Sequence, residues 1–124
     1  MKRYTILIVD DEKRYADMLA RRLTLRGIAS QACYNGGSAL DILDHNPIPM
    51  VILDLRLPDM YGLEVLEKIK ARRPDTVVVI LTGHGTEKDR EQSMAMGAQA
   101  FMNKPLDIDQ LMAIMSECKG IPSR

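Results

Sequence analysis

The chain has 124 residues, a length that favours one domain and can bury a real core. It is 46% hydrophobic and 27% charged, which excludes intrinsic disorder, and its 17 basic residues equal its 17 acidic ones, so no net basic field draws it to nucleic acid or an anionic membrane. The longest strong apolar run, Val77-Val78-Val79-Ile80-Leu81, holds five residues, far short of a membrane span.

In chain order, Met1-Lys2-Arg3 has no long apolar stretch behind it, so no signal peptide is expected. A first strand spans about residues 5–9, where Ile6-Leu7-Ile8-Val9 runs into Asp10-Asp11-Glu12. A helix follows with Ala16, Leu19, Ala20 and Leu23 on one face, and Gly27 is its natural stop. Residues 28–33 form a weaker strand ending in an Asn35-Gly36 turn. Ser38 is placed as the cap of a short helix with Ala39, Ile42 and Leu43 inward. Pro47 and Pro49 end that unit and force an extended approach to the third strand, Val51-Ile52-Leu53, which runs into Asp54.

The loop from Leu55 to Gly62 leads to a third helix with Val65, Leu66 and Ile69 inward, running to Pro74. Tyr61 in that loop is expected to pack against this helix. Residues 76–81 are rich in β-branched residues and apolar from Val77 on, as a central parallel strand buried on both faces requires, and they run into Thr82. Gly83-His84-Gly85 is a flexible loop and Thr86 a candidate cap for helix four. The short strand Ala100-Phe101-Met102-Asn103 ends at Lys104-Pro105. Asp107 can cap a last helix with Ile108, Leu111, Met112 and Met115 on one face. The tail from Lys119 to Arg124 reads as a frayed end or the start of a linker.

Alternating βα units imply right-handed crossovers and a parallel sheet covered by helices. Ligands of such sheets bind at the carboxyl ends of the strands. Here those ends carry carboxylates at Asp10-Asp11 and Asp54, a hydroxyl at Thr82 and an ammonium at Lys104. Three carboxylates suit Mg²⁺, whereas Thr and Lys suit a phosphoryl group. Cys33 and Cys118 lack metal-ligand spacing and read as ordinary reduced thiols, in keeping with a cytoplasmic protein.

On the acidic pair Asp10-Asp11, Asp54, Pro58-Asp59 with Gly62, Thr82 and Lys104-Pro105, the chain resembles the receiver (CheY-like) domain of two-component response regulators over residues 4–118. The resemblance implies an α/β, flavodoxin-like fold: a five-stranded parallel sheet of order 2-1-3-4-5 flanked by five helices. It places the receiver domain at residues 1–119 and a tail or linker at residues 120–124. It implies that Asp54 is the phosphoacceptor, with Lys104 and Thr82 binding the phosphoryl group. Asp10, Asp11, Asp54 and the Arg56 backbone carbonyl would hold Mg²⁺ or Mn²⁺. Lys104-Pro105 is often cis in this family.

The implied function is a phosphorylation-dependent signalling switch, not a metabolic enzyme: the domain catalyses only its own phosphorylation and dephosphorylation. The donor would be a sensor histidine kinase or phosphotransfer protein. The signal would pass through Thr82 and Phe101, the only Phe, to the face of helix four, strand five and helix five. A downstream output domain or target protein would read it there, and a phosphorylation-dependent homodimer through that face stays open. Helix four opens Glu87-Lys88-Asp89-Arg90-Glu91-Gln92, with little apolar anchoring, and five of the nine Met lie from Met94 to Met115. Arg56 and His84, each two residues past a key side chain, would tune phosphoryl lifetime. Two rival functions stand beside this one. A receiver-like interaction module independent of phosphorylation is disfavoured by the complete residue set. A Mg²⁺-dependent aspartyl-phosphate hydrolase of the haloacid dehalogenase type needs a second Asp where this chain has Arg56. The Leu81-Thr82-Gly83-His84-Gly85 loop is common in receivers fused to transcriptional activators.

Overall fold

The computed structural model describes residues 3–121. Ten elements alternate strictly: β1 (Ile6–Val9), α1 (Lys13–Leu25), β2 (Ser30–Cys33), α2 (Gly36–His45), β3 (Met50–Leu53), α3 (Gly62–Arg72), β4 (Val77–Thr82), α4 (Glu87–Ala95), β5 (Ala100–Asn103) and α5 (Ile108–Glu117). The five strands are all parallel, in the order β2-β1-β3-β4-β5. This is the predicted architecture.

The inner strands β1 and β3 are apolar at every position, and β4 at every position before Thr82, because both sheet faces are covered. Alternate residues serve opposite cores. Ile6, Ile8, Met50, Ile52, Val79 and Leu81 meet Ala16, Leu19 and Leu23 of α1 and Leu111 and Met115 of α5. Leu7, Val9, Val51, Leu53, Val78 and Ile80 meet Ala39 and Leu43 of α2 and Val65, Leu66 and Ile69 of α3. Each of these Val, Leu, Ile and Met side chains, taken wholly out of water, is worth about 1.5–3 kcal/mol before chain entropy is counted.

Four local expectations change. The α2 cap is Asn35, whose side-chain oxygen accepts the Ser38 N–H at 2.8 Å, so Ser38 supplies a backbone donor inside the first turn. Ala20, Ile42 and Met112 are half-buried at the margins of their helix faces. Tyr61 does not pack against α3; it is 79% exposed, because the isolated antiparallel bridge between Arg56 and Tyr61 holds its backbone in the loop. Ile121 is not frayed. It is 8% exposed and joins the α1–α5 core, so apolar packing continues past the end of α5. Residues 1–2 and 122–124, which include the rest of the expected tail, lie outside the described residues. The other caps are as expected: Thr86 and Asp89 form a reciprocal capping box on α4, and Asp107 accepts the Gln110 N–H.

Candidate functional site

The strand ladders continue one residue beyond the strands and pin the site. Asp10 N–H donates to the Cys33 carbonyl at 3.1 Å, Asp54 N–H to the Val9 carbonyl at 2.9 Å and Lys104 N–H to the Thr82 carbonyl at 3.0 Å. Three chemically active side chains therefore leave the carboxyl edge of one sheet on fixed backbone. Gly62 allows the β3–α3 loop to fold back onto this edge. A Cβ there would run into the Asp54 carbonyl oxygen and lie 2.5 Å from Leu55 Cα, and the Gly62 N–H donates to the Leu55 carbonyl at 2.8 Å. Asp59 ties the loop to α2 by accepting the Gly36 and Gly37 N–H groups, each at 2.8 Å.

At the centre lies the Lys104 ammonium. It is 2.7 Å from Asp10 Oδ2 and 2.9 Å from Asp54 Oδ2, and it also pairs with Glu12 Oε1. The second Asp54 oxygen accepts the Arg56 N–H at 3.2 Å. Asp10 and Asp54 are buried while Glu12 reaches in from solvent. Burial works against the Lys104 charge, yet its hydrogen bonds to Asp10, Glu12 and Asp54 outweigh that and lift its pKa above the ordinary 10.5. Burial raises the Asp10 carboxyl above its ordinary value. The Lys104 and Glu12 N–H bonds oppose that rise, and the Asp54 charge adds to it.

A cavity of about 450 Å³ opens over this cluster, lined by Asp11, Glu12, Asp54, Arg56, Thr82 and Lys104 among others. Gly83 and His84 complete its rim. Arg56 and His84 are thus both beside Asp54, with exposed side chains. Phe101 stands apart, half-buried against the α2–α3 core. It touches the site through Gly85, where a Cβ would lie 2.7 Å from Phe101 Cε1 and 2.8 Å from Thr82 Cγ2. The Lys104-Pro105 bond is cis.

The acidic cluster differs from the expected one. Ligand oxygens of Asp10, Glu12 and Asp54 lie within 4.8 Å of one another, and Asp11 is not of that group. Asp11 is exposed and lines the cavity wall. The reason is local: Asp10 Oδ1 accepts the Glu12 N–H at 2.9 Å, a tight turn that sends the Glu12 side chain back toward Lys104. Glu12 was visible in the sequence as the third acid of the run, but a carboxylate just before a helix reads as a cap. It occupies the cap position of α1 without capping it. The donor set is all carboxylate oxygen, the set that hard divalent cations take. Three carboxylates against one ammonium leave an excess of negative charge that a dication matches.

The model of the response regulator receiver domain matches residues 6–116. The chain belongs to the response regulator receiver family. Among solved structures, this receiver is similar to a CheY-like response regulator receiver domain protein from Methanospirillum hungatei, with a TM-score of 0.86, 28% identity, and 94% and 93% of the two chains covered. It is also similar to a response regulator from Burkholderia pseudomallei solved with a phosphorylated aspartic acid and a calcium ion (TM-score 0.83, 27% identity, covering 90% of this chain and 65% of that one). Of curated relatives, the acid tolerance regulatory protein ActR of Rhizobium meliloti is 33% identical over 94% of this chain and 60% of its own length. A putative NtrX-like response regulator of Rickettsia conorii is 35% identical over 94% of this chain and 25% of its own. The receiver thus spans a little over half of the first relative and a quarter of the second. Among the described residues, no helix is long and apolar enough to cross a membrane.

Proposed function

We propose that this receiver is a phosphorylation switch in which Asp54 accepts a phosphoryl group from the phosphohistidine of a sensor kinase or phosphotransfer protein. The carrying observation is the single ammonium of Lys104 bridging Asp54 and the Asp10–Glu12 pair beneath a cavity that Thr82 also lines. An Asp54 carboxylate oxygen attacks phosphorus, the bond from phosphorus to the donor nitrogen breaks, and the imidazole leaves with the electron pair and takes a proton. A carboxylate is a weak nucleophile, so positioning and charge neutralisation carry the reaction. Lys104 moves from a carboxylate partner to a phosphoryl oxygen, and the Thr82 hydroxyl donates to another. Asp10, Glu12 and Asp54 would hold Mg²⁺, and Asp11 and Arg56 line the same cavity. The ion would supply charge neutralisation for the transferred group. The Burkholderia relative, with its phosphorylated aspartic acid and bound divalent ion, supports this reading.

The added group brings about two negative charges to a site already rich in them. Thr82 moves toward it, and Phe101, packed on the same Gly85, follows. The readout surface is α4, β5 and α5, and it is met by an output domain, a target protein or a second receiver. Exposed Arg56 and His84 set how fast water reaches the acyl phosphate. Incubation with a phosphohistidine donor and Mg²⁺, then borohydride reduction, converts an acyl phosphate into homoserine. Peptide mass mapping is expected to place that homoserine at position 54. Recovery of unmodified Asp54 alone would contradict the proposal.

A further inference from the structure

Tyr15 belongs to none of the motifs above, yet it touches the loop that carries Lys104 at two points. It lies in the first turn of α1, half-buried against the core that contains Leu106, Ile108 and Leu111. Its hydroxyl accepts the Leu106 backbone N–H at 2.8 Å. Its ring lies beneath the Lys104 ammonium, 5.1 Å from Nζ to the ring centroid. One side chain therefore holds the loop on both sides of Pro105: the cation before it and the amide after it. Its own support is rigid, since Ala16, Leu19 and Leu23 bury the same helix in the core.

Lysine needs such support. Its ammonium sits on a long flexible stem, and ordering that stem costs entropy. Three carboxylates compete for it, and Glu12, with a side chain 64% exposed, could draw it out toward solvent. An aromatic face attracts a cation and offers it no proton acceptor, so it restricts where the ammonium sits without neutralising it. The hydroxyl restrains the loop backbone at the same time. We infer that Tyr15 is a positioning residue for Lys104, its ring and hydroxyl together holding the ammonium at the Asp54 carboxylate. The inference rests on the phosphoryl-transfer reading of Lys104 given above. Tyr15 itself touches no reacting atom.

The test uses the full chain with Tyr15→Leu and Tyr15→Phe, first without phosphoryl donor. Protons near an aromatic face are shielded, so carbon–proton NMR of the lysine ε-methylenes, assigned with Lys104→Arg, reports the contact. The Lys104 signal is expected upfield in the parent chain and in Tyr15→Phe, and at the bulk lysine position in Tyr15→Leu. In Tyr15→Phe the Leu106 amide is expected to exchange faster, since its acceptor is gone. With acetyl phosphate and saturating Mg²⁺, Tyr15→Leu is expected to gain phosphate about fivefold more slowly, with Mg²⁺ affinity unchanged. A folded Tyr15→Leu whose Lys104 signal and phosphorylation rate match the parent overturns the inference. If Tyr15→Leu does not fold, an unchanged Leu106 amide in Tyr15→Phe overturns it instead. A parent chain that takes up no phosphate contradicts the phosphoacceptor reading, and the Lys104 signal then still decides the role of Tyr15.

Discussion

Lys104 is the only cation paired with Asp10, Glu12 and Asp54 among the described residues, so its removal leaves two buried carboxylates facing each other. Breaking a buried pair by deleting one partner is strongly destabilising. Lys104→Ala is therefore expected to lose about 3 kcal/mol in urea unfolding without metal, the low end of the ~3–5 kcal/mol that breaking a buried pair costs, because Glu12 keeps its solvent. The same variant is expected to bind Mg²⁺ more tightly, since the ammonium no longer competes, and Mg²⁺ should restore part of the lost stability. An unchanged urea midpoint, or weaker Mg²⁺ binding by titration calorimetry, would contradict this electrostatic picture. At this scale the sequence was legible where a residue type has one obvious use, as with Asp54, Thr82 and Lys104 at strand ends. Glu12 and Tyr15 were not legible. A carboxylate before a helix reads as a cap, a tyrosine just after Lys13 and Arg14 carries no motif, and only the three-dimensional return of the β5–α5 loop gives either a partner. Cys33 needed no such context: burial pushes its thiol up to about 12, which leaves it inert.

Among the elements, two depend on features that can be tested separately. The start of α2 is held to the β3–α3 loop by Asp59. Hydrogen bonds from Gly36 and then Gly37 keep that carboxyl below its ordinary 3.8. A depressed carboxyl contributes stability above its unfolded pKa and loses it as pH falls through the folded one. Urea midpoints of the parent chain are thus expected to fall more steeply below about pH 4 than those of Asp59→Asn. Parallel curves would show that the clamp contributes nothing. Helix α4 is the weakly anchored element. It buries only Ser93, whereas α3 buries Gly62, Val65, Leu66 and Ile69. Its backbone amides should exchange faster than those of α3, and Thr86→Ala, which removes the cap at a typical cost of ~1 kcal/mol, should widen the gap. Equal protection of α4 with and without phosphate on Asp54 would remove it as the moving part of the switch. Helix phase and strand runs were readable because apolar periodicity is a local property. The α2 cap and the burial of Ile121 were missed, since Asn35 and Ser38 are both good caps and a lone Ile between Gly120 and Pro122 has no period to read.

Across the whole molecule, the strand order brings β1, β3 and β4 together and puts Asp10, Asp54 and Thr82 on one edge, with Lys104 arriving from β5. Residues up to 94 positions apart in sequence meet only because every strand is parallel and every connection returns over a sheet face. That convergence was legible from four strand-like runs ending in polar residues, whereas the identity of the partners on either side of the switch lies in surfaces whose chemistry has no local signature. Uptake of a phosphoryl group by Asp54 at this edge, with the help of a divalent ion, is checked by the intact mass of the protein after incubation with acetyl phosphate and Mg²⁺, beside Asp54→Asn and a chelated control. A gain of one phosphoryl group is expected in the parent chain alone. A gain that persists in Asp54→Asn or without Mg²⁺, or no gain in a folded parent chain that binds Mg²⁺, would contradict it.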